Sequence, residues 1–190
     1  MFSFRSSLDI IIGPMYSGKS TELIRRLSIL NSLGFRVLYV NCDLDKRSDK
    51  DFSTHSSFIT SLPDGMDSIK VPRGDFSWIT SYADNYDVFG IDEAQLFGDL
   101  FNTVMNLVEG CNKKLIVSGL NGDFSRKEFG EILQLIPLCD DITKLHPYCV
   151  TCKDRGELRP ALFSKRRVES NEQVLIGGNE EYLPVCRECY

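Results

Sequence analysis

The stretch Leu8-Asp9-Ile10-Ile11-Ile12-Gly13-Pro14-Met15-Tyr16-Ser17-Gly18-Lys19-Ser20-Thr21-Glu22-Leu23 decides how the rest of the chain is read. An apolar run that reads as a strand enters a glycine loop and then opens a helix. The loop matches G-x-x-x-x-G-K-[ST] in full, through Gly13, Pro14, Met15, Tyr16, Ser17, Gly18, Lys19 and Ser20. Glycines let backbone N–H groups curl around phosphate oxygens, and the helix N-terminus adds partial positive charge. Lys19 is then placed to neutralise β and γ phosphates, and the Ser20 hydroxyl to ligate Mg2+. A chance glycine turn is the alternative. The full match between a strand and a helix stands against it.

Working outward, Leu23, Leu27 and Leu30, flanked by Ile24, fall at helical spacing in Thr21 to Leu33, and Gly34 supplies a stop. Val37 to Val40, Val88 to Ile91 and Leu115 to Val117 read as further strands. Fully apolar strands separated by helices imply an α/β fold, a P-loop NTPase-like parallel sheet with helices on both faces. The segment Asp43 to Asp67, rich in Ser and Asp and carrying Pro63-Asp64-Gly65, reads mostly as loop. After Leu145 the texture changes to paired cysteines, a basic Lys165-Arg166-Arg167 cluster and Gly177-Gly178. Two domains are expected: a nucleotide-binding part over 1–146 and a small zinc-binding part over 147–190.

Ile91-Asp92-Glu93 ends an apolar strand. A carboxylate at that end of a sheet, on the edge that carries the phosphate loop, can hold Mg2+. Asp92 would serve the metal and Glu93 would act as base or orient the nucleophile. A solvated turn capping the next helix is the plainer reading. Cys149-x-x-Cys152 and Cys186-x-x-Cys189 are two matching hooks with 33 residues between them. Four thiolates in two short turns suit one tetrahedral Zn2+, a closed structural site with no open position for chemistry. A redox pair is the weaker alternative. Cys42, Cys111 and Cys139 read as small buried hydrophobes, and His55 and His146 as isolated histidines.

Composition narrows the classes. The chain has 190 residues, 42% hydrophobic and 26% charged, with a net charge of −5. That is enough apolar content for a packed core, which excludes a wholly disordered chain. No basic stripe favours non-specific nucleic-acid binding. No apolar run is long enough to span a membrane, and none near Met1 reads as a signal peptide. Seven cysteines without such a signal point to a reducing compartment, the cytoplasm or else the nucleus, with the cytoplasm as the expectation.

Taken in order, these features resemble the thymidine kinases of the cellular and poxviral, zinc-containing type, over nearly the whole chain. The resemblance rests on Gly13 to Leu23, on Asp45-x-Arg47 with Thr54-His55, and on Asp92-Glu93-Ala94-Gln95. It continues through Gly122-x-Phe124-x-Arg126-Lys127-x-Phe129-Gly130 and the tail Ile176-Gly177-Gly178 to Tyr182, Cys186 and Cys189. It implies transfer of the γ-phosphate of ATP to the 5′-hydroxyl of thymidine, with Glu93 as the base. A lasso loop between the zinc hooks would cover the nucleoside. Met15, Leu96, Leu120, Phe124, Phe129, Leu175, Gly177 and Tyr182 would form the nucleoside pocket, and Asp45 and Arg47 would sit near the transferring phosphate. A homotetramer and inhibition by thymidine triphosphate are also implied. The chain departs from the pattern at Leu96, where the family usually has Phe, at Asn121 and Asp123, and in a longer Asp154 to Ala161 stretch. Two rivals stay open: a zinc-ribbon nucleic-acid binder with a motor domain, and an inactive regulatory nucleotide binder.

Overall fold

The computed structural model describes residues 5–43, 61–170, 172–175, 177–178 and 180–190. In chain order the strands are β1 (Ser7–Gly13), β2 (Val37–Cys42), β3 (Asp67–Val71), β4 (Gly74–Asp75) and β5 (Val88–Ile91). They continue with β6 (Phe97–Gly98), β7 (Lys114–Leu120), β8 (Asp141–Lys144), β9 (Phe163–Arg166) and β10 (Tyr182–Val185). The helices are α1 (Lys19–Ser32), α2 (Leu100–Met105) and α3 (Val150–Lys153).

Six strands form one sheet in the order β3-β2-β5-β7-β1-β8, and every pairing is parallel. The two-residue alternation of strands sorts side chains to two faces. Ile11, Val37, Tyr39, Val88 and Ile116 meet Leu23, Ile24 and Leu27 of α1 on one face. Ile10, Leu38, Val40, Phe89, Ile91 and Val117 meet Phe76, Ile79, Leu100, Val104, Ile132 and Leu135 on the other. Burying each such side chain contributes about 1.5–3 kcal/mol. Close approach of α1 depends on Gly90, where an added Cβ would lie 2.2 Å from a Leu27 methyl.

The parallel sheet covered on both faces is as the apolar strands required. Three details differ from the sequence reading. The helix begins two residues earlier, at Lys19, directly out of the glycine loop. The second face is covered largely by short 3-10 turns (Ser77–Tyr82, Ile132–Leu138), by α2 and by a π turn (Asn106–Gly110), not by long regular helices. Finally, β3 and β8, the two edge strands, carry the polar sequences DSIKV and DITK and lacked an apolar signature. Most of the segment read as loop, residues 44–60, lies outside the described residues.

Beyond β8 the chain forms α3 and the antiparallel hairpin β9–β10, in which Tyr182 pairs with Arg166 and Val185 with Phe163. Its buried cluster is small: Cys149, Cys152, Cys186, Ala161 and Val185. Cys42 is buried, whereas Cys111 and Cys139 are half-buried.

Candidate functional site

In a parallel sheet the carboxyl ends of the strands share one edge, and the loops leaving them make the crevice. Here β1 delivers the glycine loop, β5 delivers Asp92 and Glu93, and β7 ends at Leu120. A cavity of 610 Å3 opens at this edge, lined by Met15, Tyr16, Ser17, Gly18, Lys19, Ser20 and Glu93 on one side. Leu96, Leu120, Phe124, Phe129, Leu175, Gly177 and Tyr182 line it on the other. The volume falls in the range of small-molecule sites.

The glycine loop ends at Gly18, whose φ of 84° is one that only glycine adopts without strain. That turn starts α1 with no side-chain cap. Lys19 is 8% exposed, and its Nζ donates to the Pro14 carbonyl across the loop at 3.0 Å. Among the described residues lining the cavity, Lys19 is the one cation. Gly13 and Pro14 shape the loop without lining the cavity, and Asp45 and Arg47 lie outside the described residues.

Asp92 sits just beneath the cavity, 1% exposed. Tyr39 Oη donates to its Oδ2 at 2.8 Å, Ser118 Oγ donates to its Oδ1 at 3.0 Å, and Ser20 also hydrogen-bonds to it. Burial, and after it the neighbouring Glu93 charge, push the Asp92 carboxyl above its ordinary range despite these hydroxyls. A buried carboxyl against the Ser20 hydroxyl is a pair of hard oxygen donors short of positive charge.

Glu93 has φ 49°, the left-handed region uncommon for a non-glycine residue. Gln95 Nε2 donates to Glu93 Oε2 at 2.6 Å, while the Leu120 N–H donates to Gln95 Oε1 at 2.9 Å. Gln95 thus fixes the carboxylate against the end of β7. In the sequence Gln95 stands within Asp92-Glu93-Ala94-Gln95, and an amide two residues from a carboxylate is the signal available there.

The hairpin segment roofs the cavity. Met15 N–H donates to Ser164 Oγ at 2.9 Å, tying the glycine loop to β9. Arg166 lies 3.6 Å from the Phe124 ring centroid and donates to the carbonyls of Ser170, Glu172 and Gln173 and to the Tyr182 hydroxyl. Tyr182 in turn donates to the Leu175 carbonyl at 2.9 Å. Gln173 Nε2 reaches Asp123 Oδ2 at 2.9 Å, closing the roof onto the 121–130 loop. Ser164 and Gln173, both lining residues, were not foreseen because their roles come from long-range packing.

The two cysteine hooks meet. All four Sγ atoms lie within 4.8 Å of one another, with Cys152 at 3.7 Å from Cys186 and 3.6 Å from Cys189. Those separations are far beyond a disulfide bond of about 2.05 Å. They match the edge of about 3.8 Å of a tetrahedron with Zn–S arms of about 2.3 Å. Burial opposes ionisation of Cys149, yet N–H groups of Cys186 and Cys152 hold its thiol down at about 7. Burial, with the neighbouring thiols, pushes Cys152 up to about 12. The donor set suits one structural metal such as zinc.

Among the described residues no helix is long and apolar enough to cross a membrane. The family model described as thymidine kinase matches residues 6–190. The chain is 35% identical to a thymidine kinase of myxoma virus (strain Uriarra), over 100% of this chain and 99% of the relative. It is 38% identical to thymidine kinase a of Arabidopsis thaliana, over 97% of this chain and 74% of the relative. It is also 38% identical to a thymidine kinase of Bacteroides thetaiotaomicron, over 98% and 87% respectively. With matches of this extent across viral, plant and bacterial proteins, the chain belongs to the thymidine kinase family.

Proposed function

We propose that the protein is an ATP-dependent thymidine kinase, moving the γ-phosphoryl group of ATP to the 5′-hydroxyl of thymidine. The observation that carries this reading is that a fixed carboxylate, Glu93, faces the same cavity as the glycine loop and Lys19. Apolar walls from Met15, Leu96, Leu120, Phe124, Phe129 and Tyr182 leave room beside it for a nucleoside. Backbone of the loop around Leu175 and Gly177, held by Tyr182, is suited to hydrogen-bond a thymine edge.

Phosphoryl transfer is largely positioning and charge neutralisation. The loop and Lys19 hold the triphosphate, with Asp45 and Arg47 as further phosphate-side residues. Ser20 and Asp92 are the residues to hold Mg2+, which supplies charge neutralisation on the phosphate oxygens when bound. The carboxyl pushed up by burial fits that assignment, because a cation relieves the cost of ionising it. Glu93 orients the 5′-hydroxyl and takes its proton as the new P–O bond forms and the bond to the ADP oxygen breaks. Gln95 keeps Glu93 aimed. Cys149, Cys152, Cys186 and Cys189 hold Zn2+, which closes residues 147–190 into a unit distinct from the kinase part over 1–146.

A homotetramer, cytoplasmic location and occupation of the nucleoside site by thymidine triphosphate belong to the same reading. Within the Lys165-Arg166-Arg167 cluster, Lys165 donates to the Cys189 carbonyl and Arg166 to the roof. This argues against a nucleic-acid surface. The test is ATP turnover with thymidine, deoxycytidine, deoxyguanosine or DNA added separately, in wild type and Lys19→Ala. Turnover should require thymidine and fall at least about a hundredfold in Lys19→Ala. Equal specificity constants for thymidine and deoxycytidine, stimulation by DNA alone, or an active Lys19→Ala would overturn the reading.

A further inference from the structure

Tyr190 follows the last cysteine hook directly, yet its side chain serves the other half of the molecule. Its N–H donates to the Cys186 carbonyl at 3.1 Å, completing the turn that presents Cys186 and Cys189. Its hydroxyl crosses to the 121–130 loop and donates to the Phe124 carbonyl. Its ring meets Phe163 of β9 edge-on at 5.4 Å. The Arg126 guanidinium stacks over the Tyr190 ring at 4.1 Å and lies 5.5 Å from that of Phe163.

The receiving loop is one that needs holding. Phe124 and Phe129 are cavity walls, and between them Arg126 has φ 63°, a conformation that costs a non-glycine residue. Asp123 braces the turn from inside by accepting the N–H groups of Ser125 and Lys127 at 2.8 and 2.9 Å. From outside, Arg166 covers the Phe124 ring and Tyr190 grips its carbonyl. Of these braces, Tyr190 is the one adjacent in the chain to a metal-ligating cysteine.

We propose that Tyr190 is a positioning residue that couples the four-cysteine centre to the nucleoside pocket, so that a filled metal site holds the Phe124 wall in place. A metal that gathers Cys186 and Cys189 fixes the turn, the turn fixes the Tyr190 ring, and the hydroxyl fixes the Phe124 carbonyl. Losing the metal would loosen the wall while Glu93 and Gln95, held to each other and to the end of β7, stay in place. The inference rests on the nucleoside reading of the cavity, and its test separates the two.

Tyr190→Phe removes one hydroxyl and keeps the ring, the Arg126 stacking and the fold. In the full chain with its metal, KM for thymidine should rise about five- to tenfold, as for a lost hydrogen bond, with kcat within about twofold. Metal content should stay as in wild type. Amide exchange in 121–130 should quicken, and removing the metal from wild type with a chelator should quicken the same amides while β1 and β7 stay protected. Unchanged KM together with unchanged exchange overturns the proposal. So does loss of metal from the variant, since the hydroxyl would then serve the cysteine turn, or a fall in kcat alone. If wild type fails to turn over thymidine, the functional reading fails, and the exchange data still decide the coupling.

Discussion

Around the six-stranded sheet, aliphatic and aromatic side chains close over both faces, from Leu8 and Ile10 on one to Leu23 and Leu27 on the other. Around the cysteines, Ala161 and Val185 are the buried apolar partners of Cys149, Cys152 and Cys186. The first region can fold by removing apolar surface from water. The second has little of it, and its four clustered thiols suit a structural metal, whose cross-link would stand in for a larger core. Yet the cavity takes walls from both, through Met15 and Glu93 below and Leu175 and Tyr182 above. On the proposed reading, the platform would carry the chemistry and the roof, held by a metal, would carry recognition.

The largest effect expected is on the roof. Cys152→Ser should abolish metal binding, whose free energy in small structural zinc units is roughly 10–16 kcal/mol. Metal analysis should read zero, and amides of 147–190 should exchange as if unfolded. Circular dichroism should still report the sheet. Were the sheet to melt with the roof, the two regions would be one cooperative unit and the contrast would collapse.

Next comes the platform's chemistry. Glu93→Gln keeps size and the contact to Gln95 but removes charge, and kcat should fall by about 10²–10⁴, or about 3–5.5 kcal/mol of barrier. Thymidine affinity, measured by titration calorimetry, should change far less because the roof is untouched. If Glu93→Gln stays within a few-fold of wild type while Asp92→Asn is dead, Glu93 is not the base.

How much of this division was legible beforehand depends on the range of the signal. The strand–loop–helix around Gly13 to Ser20, the buried strands and the cysteine hooks announce themselves locally, through periodicity and spacing. The edge strands β3 and β8 did not, since polar edges such as Asp67-Ser68-Ile69 carry no continuous apolar run. Gln95, Ser164 and Tyr190 act across 25, 149 and 66 residues of sequence, and no local pattern encodes such contacts. Leu96 does line the cavity in the position where resemblance expected an aromatic wall.

Third in size is a change confined to the platform core. Leu27 is fully buried against Gly90 and the sheet. Leu27→Ala should cost about 2–5 kcal/mol from lost transfer energy and the cavity left behind. Chemical denaturation followed at the sheet should show it, with metal content unchanged. A variant that sheds its metal instead would mean that the roof depends on the core beneath it.

The smallest effect tests whether the platform relies on charge at all. Glu22, in the first turn of α1, accepts from Arg25 at 2.7 Å and from Arg26 at 2.7 Å, and Arg26 reaches Asp141 of β8 at 3.2 Å. The Arg25 hydrogen bond leads in holding the Glu22 carboxyl down at about 2, with Arg26 adding to it against the opposing effect of burial. A carboxyl whose folded pKa lies below its unfolded value stabilises the fold above the unfolded value, about 4.3 for Glu. That stability disappears as pH falls toward about 2. Because the pair is near the surface and screened by solvent, Glu22→Gln should cost under about 1 kcal/mol at neutral pH. The gap between wild type and variant in urea unfolding should stay flat down to about pH 5 and close below it. A gap that widens toward acid would reverse the sign of the linkage and remove Glu22 as a stabilising ion pair. A gap of several kcal/mol at pH 7 would show that this one network holds the sheet as strongly as a large buried side chain does.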